Sequence, residues 1–528
     1  MLHISEKHSA TAKRCRLNPG LLKACLSFLV IGFVLAACAT VPKEYPRNPS
    51  TAFTDYSATS LGRLFEAAAE QHPGESGFGI IRHGRQAFTD RVALTELAEK
   101  SLDLQYYIWE RDETGQILAE RLVRAADRGV RVRVLLDDIN LSGRDAPIAA
   151  LDAHPNIEVR IFNPFANRGA RVFDFAIDLD RVNHRMHNKL MVADNAVAIV
   201  GGRNIGNHYF GVATDANFRD LDIAAAGPVV RDTSGVFDYF WNGDWAVPIS
   251  ALVDRPYTES DMQTAVRSLR ERIAGDSYPY PLDADVANLR ADLTAVRDGL
   301  TWASGKIVWD DPEHIREGAE HGRLHLAWHG KLETVQREVL MESAYFVTRE
   351  RGVEIAQQLH ERGVRMRLLT NSLASNDVLA AHAGYAKRRE ELLASGMEIY
   401  EMRPDAGSIK KRVVSGESKA ALHTKAIVFD RESVFIGSFN LDPRSADINT
   451  EAGLYVESPE LAAQVIEYMD EGVRPENSYQ VLLDNNGDPV WVTEIDGNEV
   501  RYTEEPETTF GQRFMSGFIM MLPVEDQL

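Results

Sequence analysis

Cysteine is nearly absent from this chain: three among 528 residues, at Cys15, Cys25 and Cys38. All lie close to the N-terminus, so no disulfide framework can hold the body together. Stability must come from burying a core. A basic surplus is also missing. Lys and Arg total 58 against 78 Asp and Glu, a net charge of −20, which argues against the basic groove that a nucleic-acid backbone requires. A local basic pocket for one phosphate remains compatible with that total. Nor is there a comfortable membrane span: the apolar run from Ala24 to Val34 is too short.

That run does suit the core of a signal peptide. Lys13, Arg14, Arg16 and Lys23 supply the basic stretch before it, and small residues precede Cys38 as a cleavage rule demands. Leu35-Ala36-Ala37-Cys38 resembles a bacterial lipoprotein box. The expectation is a signal peptide over 1–37, acylation of Cys38, and a tether over 38–76 punctuated by Pro42, Pro46, Pro49 and Pro73. An ordinary signal peptide with an incidental cysteine, or a short uncleaved anchor, are the other readings of the same residues. The lipoprotein reading places the body in the periplasm of a Gram-negative-type envelope, held to a membrane through its N-terminus.

What the chain has is a duplicated motif. His187, Lys189 and Asp194 are followed by Gly201-Gly202-Arg203-Asn204; His423, Lys425 and Asp430 are followed by Gly437-Ser438-Phe439-Asn440. In both copies Lys falls at +2, Asp at +7 and Asn at +17 from the histidine. One such pattern is weak; two with matched trailers indicate an internal duplication.

The flanks agree. Leu102–Trp109 has strand composition, Gly115–Arg128 helical periodicity, and Gly129 ends that helix before an alternating strand over Val130–Leu136. Ile157–Phe162 supplies another strand. In the second half Ser343–Val347 reads as strand, Val353–Glu361 as helix, and Arg362–Leu369 repeats the Arg-Gly-Val-Arg start seen at Arg128. This βαβ rhythm predicts an α/β fold with helices on both sheet faces. The division expected is a first half over 77–255, a helical linker over 256–330, a second half over 331–475 and an extension over 476–528.

Each motif sits in strand-like sequence, which puts His187 with Lys189, and His423 with Lys425, on one face. Asp194 and Asp430 fall on the other and are expected to make structural charge pairs. Asn204 and Asn440 can return an amide towards the histidine. If the halves pack about a pseudo-twofold axis, two His, two Lys and two Asn converge. One imidazole can then attack phosphorus while the other protonates the leaving alkoxide. The ammonium groups hold the phosphoryl oxygens, so the chemistry needs no metal or other cofactor.

These residues resemble the phospholipase D superfamily, whose fold would be two α/β/α sandwich halves with the active site at their interface. The resemblance adds Glu451, in Asn449-Thr450-Glu451, as the carboxylate that orients a catalytic histidine, and Ser438 as the family serine. Its first-half counterpart is placed at Asp222, beyond an apparent insertion over Asn207–Ala216; Gly202 replaces the serine. Gln105-Tyr106-Tyr107-Ile108-Trp109, Thr370-Asn371-Ser372-Leu373 and the stretch Gly437–Ser445 look like the cardiolipin synthase C branch. That branch implies transfer of a phosphatidyl group to His187 and then to a hydroxyl of phosphatidylglycerol, with His423 as acid-base and phospholipids as substrates. A phospholipase D hydrolase would use the same motifs with water as acceptor. A nuclease fits the charge less well, and a non-catalytic binding module would not be expected to keep both His-Lys-Asp sets. The phosphatidyl donor and any protein partner are not legible.

Two lesser signals stand beside these. His321, His325 and His329 recur every four residues, but glycines flank them and no carboxylate completes a ligand set, so a solvated segment is expected rather than a metal site. The apolar stretch Phe514–Leu522 is expected to close a core rather than dip into a membrane.

Overall fold

The computed structural model describes residues 40–522 except 276–277, 283–285, 317–320 and 408–417. The expected signal peptide and Cys38 lie outside the described residues. Among those described, no helix is long and apolar enough to cross a membrane.

The helix Glu113–Asp127 shows how the α/β rhythm is built. The Asp112 side chain caps its start by accepting from Gly115 N, and Ile117, Leu118, Leu122 and Ala126 bury one face. Gly129, at φ 93°, turns the chain into the strand Arg131–Asp137. The second half repeats the device, with Gly363 at φ 74° between the helix Glu350–Glu361 and the strand Arg365–Asn371.

The first sheet runs Ile157–Phe162, Arg131–Asp137, Ser101–Tyr106, Leu190–Ala193, Val197–Gly201, Asp222–Ala226, Ser76–Ile81. The second repeats it strand for strand: Glu398–Met402, Arg365–Asn371, Glu338–Ser343, Lys425–Phe429, Ser433–Gly437, Ala452–Glu457, Thr301–Trp309. In each, the first three strands are parallel and the rest antiparallel. The helices Pro228–Asn242 and Pro459–Gly472 pack between the sheets, where Phe237, Trp241, Leu190 and Val200 join Val428, Ile436, Leu454 and Tyr468 in one shared core.

One strand belongs to both sheets. Thr301, Trp302 and Ala303 pair with Phe78, Gly77 and Ser76, and Ser304–Trp309 pairs with Glu457–Ala452. This corrects the helical linker expected over 256–330. Helices Glu259–Gly275 and Val286–Asp298 occupy its first part, and the strand Thr301–Trp309 then opens the second copy, as Ser76–Ile81 opens the first. The strand expected at Ser343–Val347 lies earlier, at Glu338–Ser343. The expected tether is docked on the first half as well: Ser50 O accepts from Arg133 Nη1 at 2.8 Å and Asn48 O from Arg160 Nη2 at 2.7 Å.

Beyond the second half, Ser478–Leu483, Pro489–Ile495 and Asn498–Tyr502 extend its sheet. The final helix, Phe510–Met520, opens with a Thr509–Gln512 capping box. It does not close a core, as had been expected of Phe514–Leu522. It lies on the helix Leu379–Ala386, with Ser516 buried while Phe514 and Phe518 face outwards.

Candidate active site

Each motif histidine sits just before a strand, at a point where the two halves touch. His187 N donates to Thr450 O at 2.8 Å, and His423 N donates to Arg219 O at 2.8 Å. The side chains repeat that exchange. His187 Nδ1 lies 2.9 Å from both carboxylate oxygens of Glu451, and His423 Nδ1 lies 2.6 Å from Asp220 Oδ2. Each half therefore supplies a histidine and the carboxylate that holds the other half's histidine.

Asp220 is thus the partner geometry gives to His423, and not Asp222, where the sequence placed it. Asp222 heads the strand Asp222–Ala226 and its side chain turns to the opposite side. There it binds Arg91 Nη2 at 2.9 Å and Arg203 N at 3.2 Å, all of it buried. The insertion between motif and carboxylate hid the correct register, because five more residues separate His187 from Asp220 than His423 from Glu451.

Close approaches require the glycines of the two trailers, from the carboxylate itself in the first half and from the backbone of the neighbouring strand in the second. A Cβ on Gly202 would stand 2.2 Å from Asp220 Oδ1, and one on Gly437 would stand 2.5 Å from Gly453 Cα. In the second half Ser438 fits where Gly202 is, and its hydroxyl donates to Glu451 Oε2. The two carboxylates consequently live in different surroundings.

Lys189 Nζ and Lys425 Nζ each donate to the carbonyl of their own histidine at 2.6 Å, and Lys425 Nζ lies 3.1 Å from His423 Nδ1. All four side chains are buried. Burial, then the charges of Lys189 and Lys425, push His187 well below its ordinary value. Burial and Lys425 also lower His423, although Asp220 works against them. Lys189 is lowered strongly by burial, and burial brings Lys425 down to about 8. Burial pushes Glu451 up to about 8 despite Lys189 and Ser438. For Asp220 burial is outweighed by His423 and Lys425, which hold it below the ordinary carboxylate range.

Asp194 and Asp430 do not make the charge pairs expected of them. Each is the first of two consecutive left-handed residues in a hairpin turn, at φ 52° and 54°. Asp194 accepts from Glu99, Lys100 and Ser101 N at 2.9, 2.7 and 2.9 Å; Asp430 accepts from Gln336, Arg337 and Glu338 N at 2.9, 2.7 and 3.0 Å. They tie the motif hairpin to the neighbouring strand's start, away from the histidines. Asn204 departs too. Its Nδ2 donates to Tyr209 Oη at 2.9 Å, not to a histidine, and its Oδ1 accepts from Ile108 N. Asn440 is buried with its Oδ1 unpaired.

Aromatic rings wall the site. Tyr107 meets His187 edge-on at 4.8 Å, and Tyr209 and Phe218 lie 5.1 and 5.2 Å from His423. Elsewhere, His321, His325 and His329 form a ladder of rings spaced 4.4 Å, with His321 bonded to Asp447 at 2.7 Å. Such a stack does not converge on a point, and among the described residues no three His, Cys, Asp or Glu are grouped to hold a metal.

The family described as cardiolipin synthase, PLD-like domain matches residues 92–241 and 331–472, which hold both motifs and six of the seven strands in each of the two sheet orders, leaving out Ser76–Ile81 and Thr301–Trp309. Cardiolipin synthase C of Escherichia coli (strain K12) is 39% identical over 461 residues, 86% of this chain and 97% of that protein. The chain belongs to the cardiolipin synthase family with phospholipase D-like domains. An uncharacterised protein of Helicobacter pylori (strain ATCC 700392 / 26695) shares 30% identity across 95% of this chain and 99% of its own length. The fold is also that of phosphatidylserine synthase from Haemophilus influenzae Rd KW20, with TM-score 0.57 at 15% identity, covering 88% of this chain and all of that one. In this cardiolipin synthase family member, the duplicated halves and crossed histidines are thus features of one continuous phospholipase D-like body.

Proposed function

We propose that this chain makes cardiolipin by moving a phosphatidyl group from one phospholipid to phosphatidylglycerol through a phosphohistidine. Phospholipid phosphatidyl transfer is the reaction class of the family; the acceptor and the covalent intermediate are the further steps of this proposal. The crossed pairing of His187 with Glu451 and His423 with Asp220 carries it, because it sets two imidazoles of different basicity in one buried site.

With Nδ1–H donating to Glu451, His187 Nε2 bears a lone pair. Glu451 is raised to about 8 and gives little negative charge, so a neutral imidazole suits this position. Nε2 attacks phosphorus, an N–P bond forms, and the P–O bond to the donor's headgroup breaks. Asp220 is held ionised, which favours a proton on His423, and His423 Nε2–H passes that proton to the departing alkoxide. The acceptor hydroxyl then loses its proton to His423, attacks phosphorus and releases His187. Lys189 and Lys425 stand to bind the two non-bridging oxygens, which supplies positive charge without a metal. Tyr107, edge-on to His187, shields the phosphohistidine from water, which favours a lipid hydroxyl over hydrolysis.

The test is to incubate purified protein with phosphatidylglycerol, with phosphatidylethanolamine and with both, and to identify products by mass spectrometry. Cardiolipin with released glycerol or ethanolamine is expected, and the released alcohol names the donor. Phosphatidic acid without cardiolipin would replace the synthase reading with a hydrolase. The same reading keeps the protein on the periplasmic side of an envelope membrane through acylated Cys38. Loss of acyl labelling and of membrane fractionation in Cys38→Ser is the expected result.

A further inference from the structure

The structure assigns this protein a second lipid contact: a bilayer-docking face made of two apolar surfaces, one on each half, at the rim of the candidate site. On the first half Val172, Phe175 and Leu179 are 71%, 41% and 50% exposed; on the last helix Phe510, Phe514 and Phe518 are 76%, 63% and 47% exposed. The latter three recur at every fourth residue and so form one stripe, an arrangement suited to lying in a membrane interface. Soluble surfaces scatter such residues singly; clusters of them mark a contact.

Both surfaces are tied to the same stretch of the site. Arg444 donates to Asn183 Oδ1 and O at 2.9 and 2.7 Å, which fixes the helix Leu179–Asn183 to the Pro443–Asp447 helix just after Asn440. On the other side Phe346 bridges to Leu441, beside Asn440, and its neighbour Tyr345 donates to Asp377 at 2.9 Å. Asp377 leads into the helix Leu379–Ala386, on which the last helix lies. The N-terminal end reaches this rim as well. Val41, Lys43 and Tyr45 line a cavity of about 620 Å³ with Asp178, Arg181 and His184, beside Leu179. An anchor preceding residue 40 would therefore hold this face towards its membrane.

The occupant is the apolar part of a bilayer rather than anionic headgroups. Arginines within these segments are already paired: Arg171 with Asp138, Arg181 with Asp178 and Arg513 with Glu504. Contact should then depend little on anionic lipid or on salt, unlike a polybasic attachment. The inference rests on the proposed phospholipid substrate only in that a lipid-processing site needs its rim at the membrane.

The test places photoreactive p-benzoylphenylalanine, one position at a time, at Val172, Phe514 or the exposed control Val286, in the full chain on phosphatidylcholine vesicles with and without phosphatidylglycerol. At least tenfold more lipid adduct at Val172 and Phe514 than at Val286, with or without the anionic lipid and at low or high salt, is expected. Equal labelling at Val286, no lipid adduct, or adducts only to a second copy of the chain would overturn the inference. If those variants do not fold, Val172→Trp and Phe514→Trp give a second reading, through added quenching by brominated acyl chains; absence of added quenching likewise overturns it. Crosslinking needs no turnover, so adducts without cardiolipin would sink the proposed function alone, and cardiolipin without adducts would sink the docking face alone.

Discussion

Asp220 reaches across the interface to within 2.6 Å of His423 Nδ1, while Asp222, two residues on, binds Arg91 on the opposite side. Two neighbouring carboxylates thereby separate catalysis from stability. Asp220→Asn is expected to lower kcat by about 100-fold or more while leaving the melting temperature near that of the parent. Asp222→Ala is expected to cost about 3–5 kcal/mol, because it strands buried Arg91. Denaturant unfolding beside cardiolipin assays reads both. An inactive but stable Asp222 variant would restore the assignment made from sequence.

Lys425, brought down to about 8 by burial, carries charge below that pH and loses it above. The value of kcat/KM is accordingly expected to fall on the alkaline side, about tenfold per pH unit above about 8. A bound phosphodiester raises the lysine's pKa, so the same limb should appear at higher pH in kcat. Lys425→Arg, always charged, is expected to lose rate but to flatten the alkaline limb. An unaltered limb in that variant would remove Lys425 from the phosphate-binding role.

His187→Ala and His423→Ala are each expected to cut cardiolipin formation by about 1000-fold or more. The two should differ in what they retain. With a donor whose leaving group needs no proton, His423→Ala is expected to accumulate phosphohistidine, visible in the intact mass, and His187→Ala to form none. The reverse pattern would exchange the roles of the two imidazoles.

Asp194 and Asp430 hold three backbone N–H groups each, so their removal acts on folding. Asp194→Ala is expected to cost about 2–4 kcal/mol, with activity at moderate temperature largely kept. Asp430 has its folded pKa held below the ordinary value by those N–H groups, against burial. Its contribution is present above the unfolded value of about 3.9 and is lost as pH falls through the folded one. Urea midpoints at pH 7 and in the acid range, compared with Asp430→Asn, read that loss.

Much of this architecture was legible because duplication leaves a signature that chance does not. The Arg-Gly-Val-Arg turns at Arg128 and Arg362 and the matched motif spacings located both sheets and both histidines. The Thr301–Trp309 strand was not legible: Ser304, Gly305 and Lys306 break its apolar pattern, since only parts of it are buried. The exchange of carboxylates was hidden for another reason. Glu451 and His187 are 264 residues apart, and Asp220 and His423 are 203 apart. No local pattern reports which half a side chain will reach into. Gly202 carried a clue, since a residue without Cβ opposite a buried acid marks the acid's place.

The strand Thr301–Trp309, stitched at one end to each sheet, leaves the halves without a hinge. Neither half is a spare for the other: a fragment bearing one motif would lack the acid for its own histidine and would expose a raw sheet edge. A single half could meet both needs only by pairing with a second copy of itself. In this chain the two halves are a single covalent body, and the line of pseudo-symmetry between them runs through the chemistry.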